Sequence, residues 1–325
     1  MQNYLIGIDL GGTSCKLAIV DEAGDVHKKW TVPTDCKDGG QRIVPEIIAS
    51  IQGTLATEGI SVGQITAIGM GSPGSVDRKN GTVSGAFNLN WIEEQPIKDQ
   101  FERAFAVPFH IENDANVAAL GEKWRGSGND QENVVFVTLG TGVGGGIICH
   151  DQLITGHHGC GGEIGHLYVT DNPIFKCTCG NSGCLEAVAS ATGMMRLAEE
   201  SLKHTELDTA LVGVMNGEAT VTAKEIFDYA KAEDAFALQI VEAFCGYLGV
   251  ACSHIANVLN PSKIIIGGGI SAAGDFLLEN IQKVYMRHVF PKAREKDVLV
   301  LATLENDAGI LGAAYLAKMN QTMIR

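Results

Sequence analysis

A chain of 325 residues, 45% of them hydrophobic, has material for two domains of ordinary size and more than one buried layer. Its formal charge of −14 and pI of about 5.0 disfavour nonspecific attraction to nucleic acid or to an anionic membrane, although backbone N–H groups can still gather an anionic ligand locally. No run of 18 apolar residues appears, so no membrane span is expected, and the opening MQNYLIGIDLGG, with no basic start and no cleavage site, points to the cytoplasm.

In chain order the pattern is α/β. The apolar runs YLIGIDL (4–10) and CKLAIVD (15–21) read as strands flanking GGTS, and ITAIGMG (65–71) as a third. FHIEND (109–114) is a strand that runs into the helical pattern ANVAALGEKW (115–124). VVFVTLG (134–140) and GGGIICH (144–150) then repeat the strand, glycine turn, strand unit, a loose echo of the first that hints at two similar halves. After residue 190 the pattern is mostly helical, through 222–260, followed by the buried strand KIIIGG (263–268) and helices over 272–289 and 307–320. Nine cysteines in a reducing compartment read as thiols, and Cys15, Cys149, Cys245 and Cys252 sit in apolar runs as small core residues.

Three glycine-rich turns punctuate these elements. In IDLGGTSCK (Ile8 to Lys16), Gly11 and Gly12 let backbone N–H groups approach a phosphate, Thr13 adds a hydroxyl, and Lys16 closes the turn. Asp9 would repel a phosphate directly but suits a magnesium ion held through water. The other reading of this turn is a tight hairpin that uses Gly-Gly only for its shape. In LGTGVGGG (139–146), five glycines between positions 140 and 146 exceed what a hairpin needs, and Gly140, Thr141 and Gly142 are placed to take a γ-phosphate. Gly267, Gly268 and Gly269, at a strand end before a helix, suit a base and ribose lying on the backbone, or form an ordinary strand-to-helix turn. Together the three describe an ATP cleft between two related domains. The set resembles the superfamily of sugar kinases, Hsp70 ATPases and actin, which implies a two-domain actin-like, ribonuclease H-like fold with the active site in the interdomain cleft.

KCTCGNSGC (176–184) supplies three thiolates, Cys177, Cys179 and Cys184, and His166 lies eleven residues before the first of them. The spacing H-x10-C-x-C-x4-C fits a closed Cys3His zinc site, with Gly180 and Gly183 letting the loop wrap the ion. A redox pair would prefer C-x-x-C, and the compartment and the odd count oppose a disulfide. A closed site leaves no open position, so the zinc is structural. His166 can bind it through one ring nitrogen and offer the other to a ligand, beside Glu163.

Asn113 and Asp114 sit where a strand ends and a helix begins. Residue type and position leave two readings open for Asp114, a general base facing the cleft or an ordinary N-cap. Glu163, His166 and Glu186 surround the metal loop, and Glu186 reads either as a partner for adjacent hydroxyls or as a solvated helix start. Gly74, Ser75 and Asn88, in the loop GSPGSVDRKNGTVSGAFNLNW, are candidate sugar contacts.

GHHGCGGEIGH followed by CTCGNSGCLE closely resembles the signature of the ROK family of kinases, repressors and related open reading frames, and IDLGGT, ENDAN and IIIGGGIS match in the same order across essentially the whole chain. The resemblance implies that Asp114 is the base on a sugar 6-hydroxyl, that Asn113 holds a neighbouring hydroxyl, and that Glu163 and Glu186 both bind the sugar. It implies ATP with Mg2+ as donor and glucose as acceptor, with N-acetylmannosamine, N-acetylglucosamine, mannose, fructose or allose as alternatives. Polyphosphate is a possible donor too, though GGGIS favours ATP. Repressors of the family carry a helix-turn-helix before the first hairpin, and Asp9 lies only nine residues in, so no nucleic-acid partner is expected. The resemblance further implies a homodimer or homotetramer. It places a smaller domain at 1–116 plus 305–325, to which the last helix returns, and a larger one at 117–304.

Overall fold

The computed structural model describes residues 2–204, 209, 211 and 221–322. The first half contains β1 (Tyr4–Leu10), β2 (Ser14–Asp21), β3 (Val26–Pro33), α1 (Ile43–Glu58) and β4 (Ile65–Ser72). A small sheet of β5 (Ser75–Asp77), β6 (Thr82–Ser84) and β7 (Gln95–Pro96) follows, then α2 (Lys98–Phe105), β8 (Phe109–Asn113) and α3 (Asp114–Arg125). The second half opens on β9 (Val134–Leu139), β10 (Val143–Cys149) and β11 (Gln152–Leu153). Then come α4 (Leu185–Ala189), α5 (Ala191–Leu202), α6 (Ala223–Lys231), α7 (Ala235–Leu259), β12 (Lys263–Gly267), α8 (Asp275–His288), β13 (Leu299–Leu301) and α9 (Ala308–Thr322).

The echo in the sequence is a true duplication of topology. One sheet has the order β3-β2-β1-β4-β8 and the other β11-β10-β9-β12-β13. In each, the first three strands form an antiparallel meander and the last two join in parallel beside the first. This is the expected ribonuclease H-like arrangement, made twice. The strands that were legible are those buried on both faces: β1 is buried at six of seven positions and β12 at four of five. β3, an exposed edge strand, gives no such run.

The helical pattern over 222–260 is made of two helices, α6 and α7. Glu233 takes a left-handed φ of 65° and Asp234 caps α7, accepting from Ala237 N at 2.9 Å. By length and composition α7 could cross a membrane, yet more than half of its apolar window is buried, and Phe236, Phe244, Leu248 and Cys252 fill the larger core.

Helices α3 and α9 lie between the two sheets. One face of α9, with Ile310, Ala314 and Ala317, packs on Leu5, Val20 and Ala67 of the first sheet. Its other face, with Ala313 and Leu316, joins Val117 and Leu120 of α3 against Val134, Phe136 and Ile265 of the second. Backbones meet here: a Cβ on Gly7 would stand 2.0 Å from Ile310 O, and one on Gly312 only 1.5 Å from Val117 O. The chain crosses between sheets twice, after α3 and after β13, and the fully buried Glu122 clasps both crossings. Its carboxylate accepts from Ser127 N at 2.9 Å, Thr303 N at 3.1 Å and Leu304 N at 2.8 Å.

Candidate active site

The first glycine turn joins β1 to β2, with Asp9 and Lys16 paired in register and Lys16 Nζ 4.0 Å from Asp9 Oδ2. Lys16 also reaches Asn306 Oδ1 at 3.3 Å, just ahead of α9. Gly309 is the reason α9 can start so near: a Cβ there would lie 2.5 Å from Asp9 Cγ. Burial pushes the Asp9 carboxyl above its ordinary value; Lys16 pulls it back down and the Asp114 carboxylate adds to the rise. The two acids therefore share one electrostatic environment. Gly12 abuts Asn88, whose Nδ2 would stand 3.1 Å from an added Cβ, so the first turn and the candidate sugar loop touch. Thr13 is exposed at the tip of the turn, and its backbone O accepts from Thr34 N at 3.0 Å. Gly74 holds a left-handed φ of 92° beside Ala86, and Ser75 pairs with Ser84 across the small sheet.

Asp114 begins α3, but the cap is its neighbour. Asn113 Oδ1 accepts from Ala115 N at 3.0 Å and Asn116 N at 3.4 Å. Asp114 Oδ1 shares the Ala115 N–H at 2.8 Å, but Asn113 reaches both N–H groups, and Asp114 lines a cavity of about 450 Å3 together with Thr138, Gly140, Gly142 and Glu186. Burial raises the Asp114 carboxyl above the ordinary aspartate value; hydrogen bonds from Ala115 N and the Asn113 side chain oppose the shift. Because its Oδ1 is committed to the cap, Asn113 offers only its amide NH2 as a donor.

The second glycine turn forms the opposite side of that cavity. Gly140 N bonds to Gly142 O at 3.0 Å, and Thr192 Oγ1 ties the Thr141 carbonyl to α5. Glu186, half-buried at the start of α4, accepts from Val143 N at 3.0 Å and from Thr178 Oγ1 at 3.2 Å. It joins the phosphate-type turn to the cysteine loop. Gly142 has to be a glycine for this, since a Cβ would come within 2.3 Å of Glu186 Oε2.

The cysteine loop brings its four expected donors together. The ligand atoms of His166, Cys177, Cys179 and Cys184 all lie within 4.8 Å of one another. Cys179 and Cys184 sulfurs are 3.8 Å apart and Cys177 Sγ is 3.6 Å from His166 Nδ1. Zinc–sulfur bonds near 2.3 Å in a tetrahedron require sulfurs about 3.8 Å apart, so the donor set fits the ion in kind and spacing. Nδ1 faces the thiols, while Nε2 faces outward, 3.8 Å from the exposed Glu163 carboxylate.

The third glycine turn divides its work. Gly267 packs under Phe136, Gly268 (φ 82°) lies against the Leu139 backbone, and Gly269 alone of the three lines a cavity of about 420 Å3. The other walls are Gly140 and Thr141 of the second turn, Ile270, and the start of α6 with Thr222, Lys224 and Phe227. Nothing local in the sequence ties α6 to this cavity: it is an ordinary capped amphipathic helix, far along the chain from any glycine turn. Reading the sequence also missed Arg78 and Glu112. An acid inside the apolar strand FHIEN was the available signal, since a buried carboxylate demands partners.

Comparison with known proteins agrees with this geometry. The ROK family model matches residues 5–320. The chain is 41% identical to a glucokinase of Halalkalibacterium halodurans, over 98% of this chain and 96% of that one. A ROK family glucokinase from Streptomyces griseus, solved with glucose and AMPPNP, is 35% identical with a TM-score of 0.74, covering 98% of this chain and 100% of that one. A ROK hexokinase from Thermus thermophilus is 30% identical with a TM-score of 0.83, covering 98% and 99%.

Proposed function

The chain belongs to the ROK family, and on that premise we propose that it catalyses ATP-dependent phosphorylation of glucose to glucose 6-phosphate. The observation that carries this reading is one cavity lined by Asp114 on one side and by Gly140, Gly142 and Glu186 on the other. Phosphoryl transfer needs little covalent help from a protein; it needs alignment, charge neutralisation and an acceptor for the alcohol proton. Asp114 takes the 6-hydroxyl proton as that oxygen bonds to the γ-phosphorus and the bond to the β-phosphate oxygen breaks, releasing ADP. Backbone N–H groups at Gly12 and Gly142, with the hydroxyls of Thr13 and Thr141 and the Lys16 ammonium, face the phosphates, while the N–H groups of Gly11 and Gly140 close their own turns onto Ser14 O and Gly142 O. Asp9 would hold Mg2+ through water, and that ion supplies charge neutralisation on the phosphates.

The cavity between Gly269 and α6 takes the adenosine. Glu163, His166 Nε2, Glu186, the Asn113 amide, Asn88, Gly74 and Ser75 surround the sugar. His166 Nδ1, Cys177, Cys179 and Cys184 would hold a structural Zn2+ that orients the imidazole. Residues 1–116 with 305–325, and 117–304, act as two bodies that close over glucose, excluding water from the transfer. Steady-state rates with ATP and a panel of hexoses test the reading. Fast turnover with glucose is expected; turnover with an acetylated hexosamine and none with glucose would overturn the sugar assignment.

A further inference from the structure

The segment just before the base contains a charged pair that the reaction scheme leaves unused. Glu112 is 1% exposed, although it sits in a strand among Phe109 and Ile111. A carboxylate so placed is costly unless charge and hydrogen bonds compensate it. Arg78 provides both: its Nε donates to Glu112 Oε2 and its Nη2 to Oε1 at 2.7 Å, a two-pronged pair. Glu112 Oε1 also accepts from Asn113 N at 2.7 Å and from Asn116 Nδ2 at 3.0 Å. One carboxylate therefore grips the N–H of the capping residue and a side chain one turn into α3, on either side of Asp114.

Arg78 comes from elsewhere. It directly follows β5, the strand that begins with Ser75 and is preceded by Gly74. The guanidinium also meets the loop that leads to Glu163 and His166: a Cβ on Gly159, held at a left-handed φ of 77°, would stand 3.2 Å from Arg78 Nη1. Three segments that reach the proposed sugar thus converge on one side chain: the 74–84 hairpin, the 112–116 turn and the 156–166 loop.

We infer that Arg78 is a positioning residue, whose forked pair with Glu112 fixes the Asp114 carboxylate in register with the loops that hold the sugar. The inference rests on the reading of Asp114 as the base. Lysine at 78 would keep the charge but present a single ammonium, so the register would be held less well. The effect should fall on the chemical step, because an error of about 1 Å in placing a reacting group costs on the order of 100-fold.

The test measures kcat and both KM values for the purified full chain with ATP and whichever hexose the unaltered enzyme uses fastest, so a wrong choice of sugar leaves it intact. Arg78→Ala is expected to lower kcat about 100-fold, and Arg78→Lys to restore part of that loss, with KM for ATP within about twofold in both. Glu112→Gln, which keeps an acceptor for Asn113 N but loses the charged fork, should lower kcat similarly. The Arg78→Lys/Glu112→Gln double variant should be little worse than its poorer single, as expected for partners in one interaction. If Arg78→Ala does not fold, Arg78→Lys and Glu112→Gln carry the test, each checked by thermal melting. Folded variants that melt lower yet keep the unaltered kcat, or single losses that simply multiply in the double variant, overturn the inference.

Discussion

At the residue scale, the cap of α3 does not depend on Asp114, although its Oδ1 also accepts from Ala115 N at 2.8 Å. Asn113 satisfies the first N–H groups of α3, so replacing Asp114 does not undo the cap. Asp114→Asn is therefore expected to fold and to bind glucose by calorimetry, while kcat falls about 10³-fold, within the range that a general base supplies. Burial raises the carboxyl above its ordinary value of 3.8, and only the ionised form accepts a proton. The acid limb of kcat/KM for glucose should accordingly rise with pH through a pKa above that value. The stability effect has the opposite sense. Between the unfolded value and the raised folded one, the native state binds more protons than the unfolded chain, so this group's contribution to stability falls as pH rises through that window. At pH 7 the neutral Asp114→Asn protein should melt no lower than the unaltered one, a result that thermal denaturation at pH 7 and pH 4 would check.

At the element scale, the 166–184 loop contains no helix or strand between Leu167 and Cys184. Its shape depends on turns such as Cys177 N to Asn181 O at 2.8 Å and on the four converging donors. Binding energy at such a cluster is folding energy for the loop. Elemental analysis should find about one zinc per chain. Chelation should raise the KM for glucose at least about tenfold, because His166 and Thr178 move with the loop, and should leave the cavity between Gly269 and α6 intact. The fit of α9 has a different origin. With Gly312 seated on the Val117 carbonyl, Gly312→Ala has no room for its methyl, since α3, α9 and both sheets meet there. Overpacking of this kind should cost about 3 kcal/mol or more, read from the midpoint of denaturant unfolding.

At the scale of the whole molecule, the two sheets are joined by two chain crossings and by the layer of α3 and α9. Glu122 holds both crossings through three backbone donors, and Ser127 Oγ adds a bond to the Thr303 hydroxyl at 3.3 Å. Glu122→Ala would leave those part-buried donors without their carboxylate, at a cost of up to about 1–3 kcal/mol each, against a total stability of only about 5–15 kcal/mol. The expected outcome is a marked drop in melting temperature. Glucose should recover part of it, because a ligand at 100 times its Kd adds about 2.7 kcal/mol to the folded state. A scattering measurement should show glucose compacting the unaltered protein more than the variant.

The sequence by itself determined the elements and turns whose chemistry is local. Doubly buried strands such as YLIGIDL and KIIIGG announce themselves as apolar runs, and the glycine-rich 140–146 turn exceeds what a hairpin requires. The Cys3His set is legible because its donors lie within nineteen positions, 166 to 184. Tertiary structure alone decided what depends on partners distant in the chain. It chose between Asn113 and Asp114 as cap, broke the helical run at Glu233, and showed that Glu186 is bonded to the second glycine turn. It also brought α6 to the cavity beside Gly269, and Arg78 to Glu112 across 34 positions of chain. Glycine turns and metal spacing act over a few bonds, so composition encodes them. The pairing of a buried carboxylate, or the wall of a cavity, is settled only when the sheets have packed and water has left.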